Sequence, residues 1–339
     1  MTKTFDVAIV GATGIVGSVI LSILEEREFP VGKIFLLASS RSAGETRFFL
    51  GKNYVVTNIA DFDFSQTQLA FFCAGNDVSA EYAPKAAALG NAVIDKSSHF
   101  RYDIEIPLVV PEVNPEDIAL YKKRGIIANP NCNMTPIAVA LKPIYDAVGI
   151  TRINVATYQS VSGSGKDAML ELSHQSASVL NGNSVIPKVY PQQIAFNVLP
   201  HIDQFETNGY TREEMKIVWE MQKVFHDTEI AINPTAVRVP VYCGHSAAVH
   251  IETKQKLTAQ KALELLSAAP GVTVISGEFP YPTPVQDAAG KDSVYVGRIR
   301  EDISHPQGLD FWIVTDNLRK GAALNAVQIA EVLVKFYWD

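Results

Sequence analysis

The chain has 339 residues, of which 47% are hydrophobic and 19% charged, and its formal net charge is −7. This composition is typical of a globular protein with room for two domains of ordinary size. The mild acidity, together with the lack of any Lys/Arg-rich run, argues against a nucleic-acid-binding or membrane-surface protein. No apolar run approaches the length of a membrane span.

The cysteine content points to a reducing compartment. Three cysteines (Cys73, Cys132 and Cys243) are too few for a disulfide framework in a chain of this size. The first residues also lack the pattern of a secretory signal. We therefore expect a cytoplasmic protein.

A strand, a glycine-rich turn and a helix open the chain. The apolar run Val7-Ala8-Ile9-Val10 is followed by Gly11-Ala12-Thr13-Gly14-Ile15-Val16-Gly17 and then by a helical pattern that extends to Glu26. In this context the glycines let the backbone approach a pyrophosphate, and the helix N-terminus attracts it. The turn therefore predicts a dinucleotide site. Its spacing, G-x-x-G-x-x-G, is less specific than G-x-G-x-x-G, so a merely tight structural turn stays the alternative.

The tip of the second strand bears on the choice of cofactor. Ile34-Phe35-Leu36-Leu37 leads to Ser39-Ser40-Arg41, where an NAD site would usually have Asp or Glu for the ribose hydroxyl. Hydroxyls and a guanidinium suit a 2′-phosphate instead. Arg41 therefore favours NADP, although it could be a solvated loop charge.

A third strand and a fourth follow, each with polar residues beyond it. Leu69 to Gly75 reads as a buried central strand in which Cys73 is an inert core thiol. After a helix from Ala80 to Leu89, the strand Ala92–Asp95 leads into a polar loop that contains Arg101. Open α/β sheets bind ligands at this end of their strands, so Arg101 is a candidate anion clamp, with an ordinary surface arginine as the alternative.

Cys132 is the candidate nucleophile. It follows the apolar run Ile126-Ile127-Ala128 within Asn129-Pro130-Asn131-Cys132-Asn133-Met134 and precedes a helical pattern from Ile137 to Ile144. A thiol near a helix N-terminus has a lowered pKa and gains nucleophilicity. Such a cysteine, with a histidine elsewhere in the chain, is a catalytic candidate.

The pattern changes in the second half of the chain. Alternation from Ile153 to Tyr158 predicts a strand that ends at Gln159, followed by a Ser/Gly loop and a helix from Ala168 to Leu180. Residues 181–205 read as long loops. A capping signature at Thr211 predicts a further helix. Glu213 and Lys216 share a face of that helix, and the pattern alone favours an exposed salt-bridge pair.

Two residues near the start of the next strand carry possible chemistry. His245 follows a glycine and begins the alternating strand Ala247, Val249, Ile251, so we expect it at an accessible strand end. By base rate a structural histidine is the stronger alternative at this stage. Cys243 is a weaker nucleophile candidate than Cys132 because no helix begins beside it. A strand over Phe311–Val314 and a helix over Gly321–Phe336 end the chain.

Together these motifs resemble the aspartate-β-semialdehyde dehydrogenase family along nearly the whole chain. Besides the glycine turn and Asn129–Cys132, the resemblance rests on five further motifs. These are Ser97-Ser98-His99-Phe100-Arg101, Pro111-Glu112-Val113-Asn114, Gln159-Ser160-Val161-Ser162-Gly163, Arg238-Val239-Pro240-Val241 with Gly244-His245-Ser246, and Asp316-Asn317-Leu318-Arg319-Lys320-Gly321-Ala322.

The resemblance implies reductive dephosphorylation of L-aspartyl-4-phosphate with NADPH, which yields aspartate semialdehyde and phosphate. This is a step toward lysine (through diaminopimelate), threonine and methionine. It implies that Cys132 forms a thioacyl enzyme, that His245 is the general acid/base and that Gln159 orients the intermediate. Sulfur suits this role because it is both a good nucleophile and a good leaving group.

The resemblance also implies the remaining binding roles. Arg238 would clamp the substrate α-carboxylate and Glu213 would meet the α-ammonium, while Arg101 and Lys216, with help from Asn131, would hold the phosphate. The Glu213/Lys216 pair thereby acquires a function that its pattern did not predict. The residues implied for NADP(H) are Gly11, Thr13, Gly14, Ile15, Val16, Gly17, Ser39, Ser40, Arg41, Gly75, Ser162, Gly163 and Asn325.

The expected architecture is an α/β fold with two domains. Residues 1–130, completed by the C-terminal helix 321–339, would form a Rossmann-type NADP-binding domain. Residues 131–320 would form an α+β catalytic and dimerisation domain, as in the glyceraldehyde-phosphate-dehydrogenase-like fold, and the protein would be a homodimer. We expect no metal, nucleic-acid partner or membrane.

Three other interpretations stay open at this point. An N-acetyl-γ-glutamyl-phosphate reductase-like enzyme shares the fold and the thioacyl chemistry, but differs around the cysteine and the substrate clamp. A catalytically silent NADP-binding paralogue would be expected to lose the cysteine or the histidine, and both are present. A glyceraldehyde-phosphate dehydrogenase-like activity would require other residues after the nucleophile. Asn133-Met134 also depart from the small hydroxyl residues common there in the family.

Overall fold

Strands and helices alternate through the first part of the chain. The computed structural model describes residues 3–338. The elements of this part are β1 (Phe5–Val10), α1 (Ile15–Glu26), β2 (Val31–Ala38), β3 (Thr46–Phe49), β4 (Lys52–Val55), β5 (Thr57–Asn58), β6 (Leu69–Phe72), α2 (Asn76–Ala88), β7 (Ala92–Asp95) and β8 (Ile126–Ala128).

Six of these strands form one parallel sheet in the order β5-β2-β1-β6-β7-β8. This is the strand order of a Rossmann-type sheet, in which the order reverses beside β1. All four residues of β6 and all four of β7 are buried. Parallel strands covered on both faces need such unbroken apolar runs, which is why the sequence predicted them. The predicted Rossmann-type fold is confirmed.

The last helix, α7 (Leu324–Tyr337), belongs to the same compact unit. Its Val327, Ile329 and Leu333 lie in one apolar core with residues of α1. At the surface, Arg27 Nε lies 2.6 Å from Glu331 Oε1. This unit combines the residues up to Pro130 with those from Ala322 on.

The second unit is Asn131–Gly321. Its elements are α3 (Met134–Val148), β9 (Ile150–Gln159), α4 (Lys166–Leu180), α5 (Arg212–Val224), β10 (Ala231–Arg238), β11 (His245–Thr253), α6 (Ala259–Ala268), β12 (Val272–Val274), β13 (Val294–Glu301) and β14 (Gly308–Thr315). The strands form a mixed sheet in the order β10-β9-β11-β14-β13-β12.

The two faces of this mixed sheet differ, as strand alternation requires. One face carries buried apolar side chains such as Val155, Val249 and Phe311. The other face carries Tyr158 and Trp312, whose ring centroids lie 5.4 Å apart, and Tyr158 is 36% exposed.

Some predicted boundaries were wrong by a few residues. The strand predicted to reach Gly75 ends at Phe72, and the helix predicted from Ala80 begins at Asn76 because Gly75 serves as its N-cap. The final helix begins at Leu324 rather than Gly321, since Arg319–Ala323 form a π-helical turn first. Within residues 3–338, the helices are all too short or too polar to cross a membrane.

Candidate active site

Cys132 lies in the turn before α3. The side-chain oxygen of Asn131 accepts hydrogen bonds from the backbone N–H groups of Asn133 (2.8 Å) and Met134 (3.3 Å). Asn131 thus satisfies donors at the helix N-terminus that would otherwise lack partners. The predicted placement of Cys132 near a helix start is confirmed, and the thiol is partly accessible.

Two carboxylates of α5 hold this turn. Glu213 Oε1 accepts hydrogen bonds from the side-chain amides of Asn131 (3.0 Å), Asn133 (3.1 Å) and Gln159 (3.1 Å). About two turns farther along the same face of the helix, Glu220 Oε2 accepts a hydrogen bond from the backbone N–H of Asn131 at 2.6 Å. Residues seven apart share a helix face, so α5 fixes the backbone and the side chains around the thiol together.

The sulfur of Cys132 has two nitrogen neighbours. His245 Nε2 lies 3.5 Å from Sγ, and Asn133 Nδ2 lies 3.8 Å from it. Asn133 is the residue at which the sequence departs from the small hydroxyl residues expected after the nucleophile, and here its amide group faces the sulfur. A thiolate at this position would accept a hydrogen bond from the Asn133 amide, and from His245 in any form of the imidazole that carries a proton on Nε2.

The other two cysteines differ from Cys132 in their chemistry. Burial raises the pKa of Cys73 to about 12, as expected for an inert core thiol. Burial also raises the pKa of Cys243. Cys132 is the cysteine with a histidine at its sulfur, which agrees with its selection from the sequence.

His245 begins β11 as predicted, but it is buried, with 3% of its surface exposed, so the expectation of an accessible position is wrong. Its Nδ1 accepts a hydrogen bond from the backbone N–H of Ser160 at 3.0 Å and lies 3.1 Å from Ser160 Oγ. Burial, and then the positive charge of Arg238, lower the pKa of His245 to about 3, against the opposing influence of Glu213 and of the Gly244 backbone. His245 is therefore neutral near pH 7.

Arg238 ends β10 opposite Gln159, the last residue of the parallel strand β9. Its guanidinium is buried, with 4% of the residue exposed, and Nη1 donates to the backbone carbonyl of Ser160 at 2.8 Å. Among residues 3–338, its Nε has no hydrogen-bond partner. A buried guanidinium with an unsatisfied donor is suited to an anion, above all to a carboxylate that can take two parallel bonds.

Glu213 and Lys216 form a largely buried ion pair, with Lys216 Nζ 3.2 Å from Glu213 Oε2 and 2.7 Å from Asp203 Oδ2. Burial would raise the pKa of Glu213, but the Lys216 ammonium and hydrogen bonds from Asn131 and Gln159 lower it to about 2. Burial would lower the pKa of Lys216, but Glu213 and Asp203 raise it. An exposed salt bridge, which the helix pattern alone favoured, is wrong because Glu213 is only 6% exposed.

The Ser/Gly loop after β9 lies against these side chains. A Cβ on Gly163 would lie 3.1 Å from Arg238 Nη1 and 3.3 Å from His245 Nε2. Glycine is therefore needed here for close approach. The neighbouring Ser162 is buried and donates to Asn317 Oδ1 at 3.1 Å.

In the first unit, the glycine turn is shaped for a close ligand. A Cβ on Gly17 would lie 2.3 Å from the carbonyl oxygen of Gly11, so the turn closes tightly on the first turn of α1. Gly14 is the N-cap of α1, and no side chain caps the helix. A helix N-terminus without a side-chain cap, behind a turn rich in glycine, fits a dinucleotide pyrophosphate. The turn comprises the predicted residues Gly11, Thr13, Gly14, Ile15, Val16 and Gly17.

Other predicted cofactor residues lie at strand ends of this unit. Ser39, Ser40 and Arg41 are exposed just after β2. Gly75 follows β6 and is the N-cap of α2, where a Cβ would meet no atom within 4 Å. Asn325 is buried, and its amide donates to Val109 O (3.0 Å) and Asn129 Oδ1 (2.8 Å).

Arg101 lies in the polar loop after β7. It is buried, with 6% exposed, and Nη2 donates to the backbone carbonyl of Lys96 at 2.9 Å. The alternative of an ordinary surface arginine is therefore wrong. The loop is held by Asp95, whose oxygens accept from Ser79 and Ser97 hydroxyls at 2.6 Å each.

The structure thus gathers seven predicted residues around one thiol within the second unit: Cys132, His245, Gln159, Arg238, Glu213, Lys216 and Asn131. Asn133, Ser160, Glu220 and Asp203 contact members of this group, and Asn317 bonds Ser160, although none of the five had a predicted role of its own. Of these, Glu220 had a usable signal, because it lies seven residues after Glu213. Ser160 and Asn317 lie in quoted motifs, but no spacing links them.

Comparisons with known proteins follow the same division of the chain. A family model described as semialdehyde dehydrogenase, NAD binding domain, matches residues 6–121. A second, described as semialdehyde dehydrogenase, dimerisation domain, matches residues 141–320.

Individual relatives match over the full length. The chain is 58% identical over 338 residues to aspartate-semialdehyde dehydrogenase of Shewanella sp. (strain DB6705), with 100% of both chains covered. It is 60% identical to that of Legionella pneumophila, covering 98% of this chain and 96% of the relative. The crystal structure of aspartate semialdehyde dehydrogenase II from Vibrio cholerae complexed with ASA has a TM-score of 0.98 at 57% identity and covers 99% of this chain and 100% of that one.

Proposed function

Since the chain belongs to the aspartate-semialdehyde dehydrogenase family, we propose that it reduces L-aspartyl-4-phosphate to aspartate semialdehyde and phosphate with NADPH. The observation that carries this proposal is the 3.5 Å approach of Cys132 Sγ to His245 Nε2, beside the buried Arg238 with an unsatisfied donor. Full-length relatives at 56–60% identity carry that name, which favours it over the N-acetyl-γ-glutamyl-phosphate alternative.

Cys132 is the proposed nucleophile. Its thiolate attacks the acyl carbon of the substrate, the carbon–oxygen bond to phosphate breaks, and a thioester forms on the sulfur. The phosphate leaves with the electron pair of that bond and takes its proton from water. His245 is the proposed general acid/base, since its Nε2 lies 3.5 Å from the sulfur. The side-chain amide of Asn133, with Nδ2 3.8 Å from the sulfur, is proposed to stabilise the thiolate.

Arg238 is the proposed clamp for the α-carboxylate of the substrate. The free Nε of its buried guanidinium supports this role, because an ionised partner would satisfy it. Glu213 stays ionised, since its pKa is lowered to about 2, and it is proposed to meet the α-ammonium. Gln159 donates a hydrogen bond to the Glu213 carboxylate and is proposed to orient the thioester.

We assign binding of the leaving phosphate to positively charged side chains. Lys216, whose pKa is raised, carries a positive charge throughout the neutral range. Arg101 is assigned to the same anion on the resemblance to the family, and its burial in the loop after β7 supports a specific role. Asn131 has a structural role as well, since its side chain bonds Glu213 and the start of α3.

The cofactor is assigned to the first unit, with the Ser162–Gly163 loop and Asn325 as additional contacts. NADPH, when bound, supplies the hydride that reduces the thioester. The glycine turn before α1 would hold the pyrophosphate, and exposed Ser39, Ser40 and Arg41 would hold a 2′-phosphate. Residues 1–130 with 321–339 are proposed as the cofactor domain, and 131–320 as the catalytic and dimerisation domain.

The proposed enzyme is a homodimer of the cytoplasm. The open face of the mixed sheet carries Tyr158 and Trp312, and the matching family model is described as a dimerisation domain, so we assign a homodimer to this face. Aromatic residues are enriched at such interfaces. The three cysteines form no disulfide with one another, which supports a reducing compartment, and we place the protein in the cytoplasm.

The test is phosphate-dependent formation of NADPH from aspartate semialdehyde and NADP by the purified protein, the reverse of the biosynthetic direction. We expect turnover with this aldehyde and none with N-acetylglutamate semialdehyde. Turnover with the second aldehyde alone would refute the proposed substrate. Sedimentation of the protein at assay concentration tests the dimer, and a monomer with full activity would refute it.

A further inference from the structure

Tyr190 lies beside the guanidinium of Arg238. The centre of its ring is 6.0 Å from the guanidinium carbon, a distance at which a cation and an aromatic ring attract each other. Tyr190 belongs to residues 181–205, which the sequence predicted only as long loops. The fold therefore brings a tyrosine from this segment to the residue that we assign to the substrate α-carboxylate.

Tyr190 is half-buried, and its phenol oxygen is enclosed without a hydrogen bond of acceptable geometry to any described residue. Buried tyrosine hydroxyls usually have a partner, because an unsatisfied buried donor is destabilising. Burial raises the pKa of Tyr190, against smaller opposing influences of the Ser164 side chain and of the Arg238 charge. The hydroxyl therefore stays protonated at neutral pH and is available as a hydrogen-bond donor.

The neighbouring Arg238 has an unsatisfied donor as well. Its Nε is buried without a hydrogen-bond partner within residues 3–338, whereas Nη1 donates to the backbone carbonyl of Ser160. Two buried donors that lack acceptors thus belong to neighbouring side chains. A single carboxylate can satisfy both, because each of its two oxygens accepts hydrogen bonds and its charge is balanced by the guanidinium.

Helix α4 holds the backbone on both sides of Tyr190. Glu171 Oε2 accepts a hydrogen bond from the backbone N–H of Lys188 at 3.1 Å, and Gln175 Oε1 accepts one from that of Ile194 at 2.9 Å. Glu171 and Gln175 are one helical turn apart and share a face of α4. The backbone that carries Tyr190 is therefore fixed, although it forms no regular secondary structure.

The same segment is joined directly to Arg238. The backbone N–H of Leu199 donates to the carbonyl of Arg238 at 2.9 Å, and the N–H of Arg238 donates to the carbonyl of Leu199 at 2.8 Å. Tyr190 also packs against an apolar cluster that consists of Val161, Ala168, Leu172, Ile194, Ala195 and Leu199. Both side chains are thus positioned before a ligand binds, which lowers the entropic cost of binding.

We propose that the Tyr190 hydroxyl is a second donor to the substrate α-carboxylate, beside the Arg238 guanidinium. This inference rests on the proposed function, which assigns Arg238 to that carboxylate. It adds a residue that determines specificity. Two fixed donors discriminate against an aldehyde without the carboxylate, because both donors would stay unsatisfied in its complex.

The first test is Tyr190→Phe, which removes the hydroxyl and keeps the ring. We expect the KM for aspartate semialdehyde to rise about tenfold, as for the loss of one hydrogen bond to a charged group, with kcat within twofold of wild type. The melting temperature should not fall, because the hydroxyl has no bond to lose among the described residues. A KM within twofold of wild type would overturn the proposal.

Tyr145→Phe is the matched control. The Tyr145 hydroxyl donates to Asp227 Oδ2 at 2.9 Å, so its loss should lower the melting temperature and leave KM and kcat unchanged. Ser164→Ala tests the rival role of the Tyr190 hydroxyl, which is support of the loop through Ser164. Lower melting temperatures with unchanged KM in both Tyr190→Phe and Ser164→Ala would establish that role and refute ours.

Binding can be measured without turnover, by the protection of Cys132 from iodoacetamide. L-2-Aminobutyrate has the α-carboxylate and α-ammonium groups of aspartate semialdehyde but no aldehyde, and it should slow the alkylation. We expect half-protection of Tyr190→Phe to need about tenfold more of this amino acid than half-protection of wild type. Equal protection of the two proteins, or none of wild type, would refute the contact. If protection depends on Tyr190 but aspartate semialdehyde is not turned over, the proposed function fails and the carboxylate site stands.

A double variant tests whether the two donors bind the same group. In an Arg238→Lys background the carboxylate is no longer held against the hydroxyl, so Tyr190→Phe should raise KM by less than it does alone. Effects of the two substitutions that simply multiply would show independent contacts and would contradict the shared carboxylate.

Discussion

Cys132 and His245 lie 113 positions apart in the chain, yet the sulfur of one is 3.5 Å from Nε2 of the other. The turn before α3 brings the thiol to this point, and the start of β11 brings the imidazole. Glu213 and Glu220 fix the turn, whereas Ser160 and Gly244 fix the ring. Two separate sets of hydrogen bonds therefore position the thiol and the imidazole, and substitutions can address each set in turn.

Cys132→Ser should abolish turnover of aspartate semialdehyde, by about 10³-fold or more, because a serine hydroxyl is a far weaker nucleophile than a thiolate at neutral pH. Steady-state assays and titration of the protein with iodoacetamide measure the loss of activity and of the reactive thiol. Cys73→Ser is the control, since burial raises the pKa of Cys73 to about 12, which should keep its thiol protonated at neutral pH. Full activity in Cys132→Ser would refute the thioacyl mechanism.

Much of the fold followed from local patterns. The buried run in β6 and the strand–glycine–helix opening of the chain are local features, and both predicted the parallel sheet. The start of α3 after Cys132 was predicted for the same reason. Where patterns failed, tertiary packing overrode them: Glu213 has the spacing of a surface ion pair, but α5 buries its carboxylate against the Asn131 side chain next to Cys132.

The network around His245 could not be predicted from spacing. The bonds that join Asn317 to Ser160 and Gly244 span 157 and 73 positions. They depend on how β9, β11 and β14 come together, which no periodicity in the sequence encodes. Only the pairing of the strands places these polar side chains within reach.

Arg238→Lys should raise KM for aspartate semialdehyde about 100-fold. Lysine keeps the positive charge but lacks the planar guanidinium and the Nε–H group that would bind the α-carboxylate in the proposed complex. Charge-assisted hydrogen bonds of this kind contribute about 1.5–3 kcal/mol. Arg212→Lys is the control, because Arg212 is exposed on α5 and pairs loosely with Glu206 at 4.0 Å. A KM within twofold of wild type in Arg238→Lys would remove the clamp from the mechanism.

Gly163→Ala should separate activity from stability. The added methyl group would lie 3.1 Å from Arg238 Nη1, so the guanidinium or the loop must shift, and kcat/KM should fall about 100-fold. The melting temperature should not fall, because Gly163 has a backbone conformation open to alanine. In Gly277→Ala the methyl group meets no atom, but φ is +106°, so stability should fall by about 1 kcal/mol with activity intact. Equal activity losses in the two variants would contradict this reading.

His245 should make the folded protein more sensitive to acid. Its pKa is lowered from 6.5 to about 3. Below pH 6.5 the unfolded chain therefore binds a proton that the folded chain does not, and the free energy of unfolding decreases as the pH is lowered from 6.5 toward 3. One such group changes the free energy of unfolding by about 1.4 kcal/mol per pH unit. Urea unfolding of wild type and His245→Gln at pH values from about 7.5 to about 5 measures the difference. The variant should lose less stability, and parallel curves would show that His245 protonates normally in the folded state.

Glu213 acts in a lower range with the same sign. Its pKa is lowered from 4.5 to about 2, so its contribution to stability is complete above pH 4.5 and is lost as the pH falls toward 2. Glu213→Gln should therefore make the free energy of unfolding depend less on pH below pH 4.5. Between pH 5 and 6.5 the pH dependence due to His245 should be unchanged.

Arg41 should decide the choice between NADP and NAD. It is exposed after β2, beside two serines and without the acidic residue that an NAD site places there. In Arg41→Ala, kcat/KM for NADP should fall about 10- to 100-fold, the value of one charge-assisted contact with the 2′-phosphate, whereas kcat/KM for NAD should stay within twofold. Arg47→Ala is the matched control, because Arg47 lies nearby on β3 but pairs with Glu45 at 2.8 Å. Equal losses for both cofactors in Arg41→Ala would mean that the arginine supports the fold of the strand tip and not the phosphate, and an unchanged preference for NADP would shift the 2′-phosphate to Ser39 and Ser40.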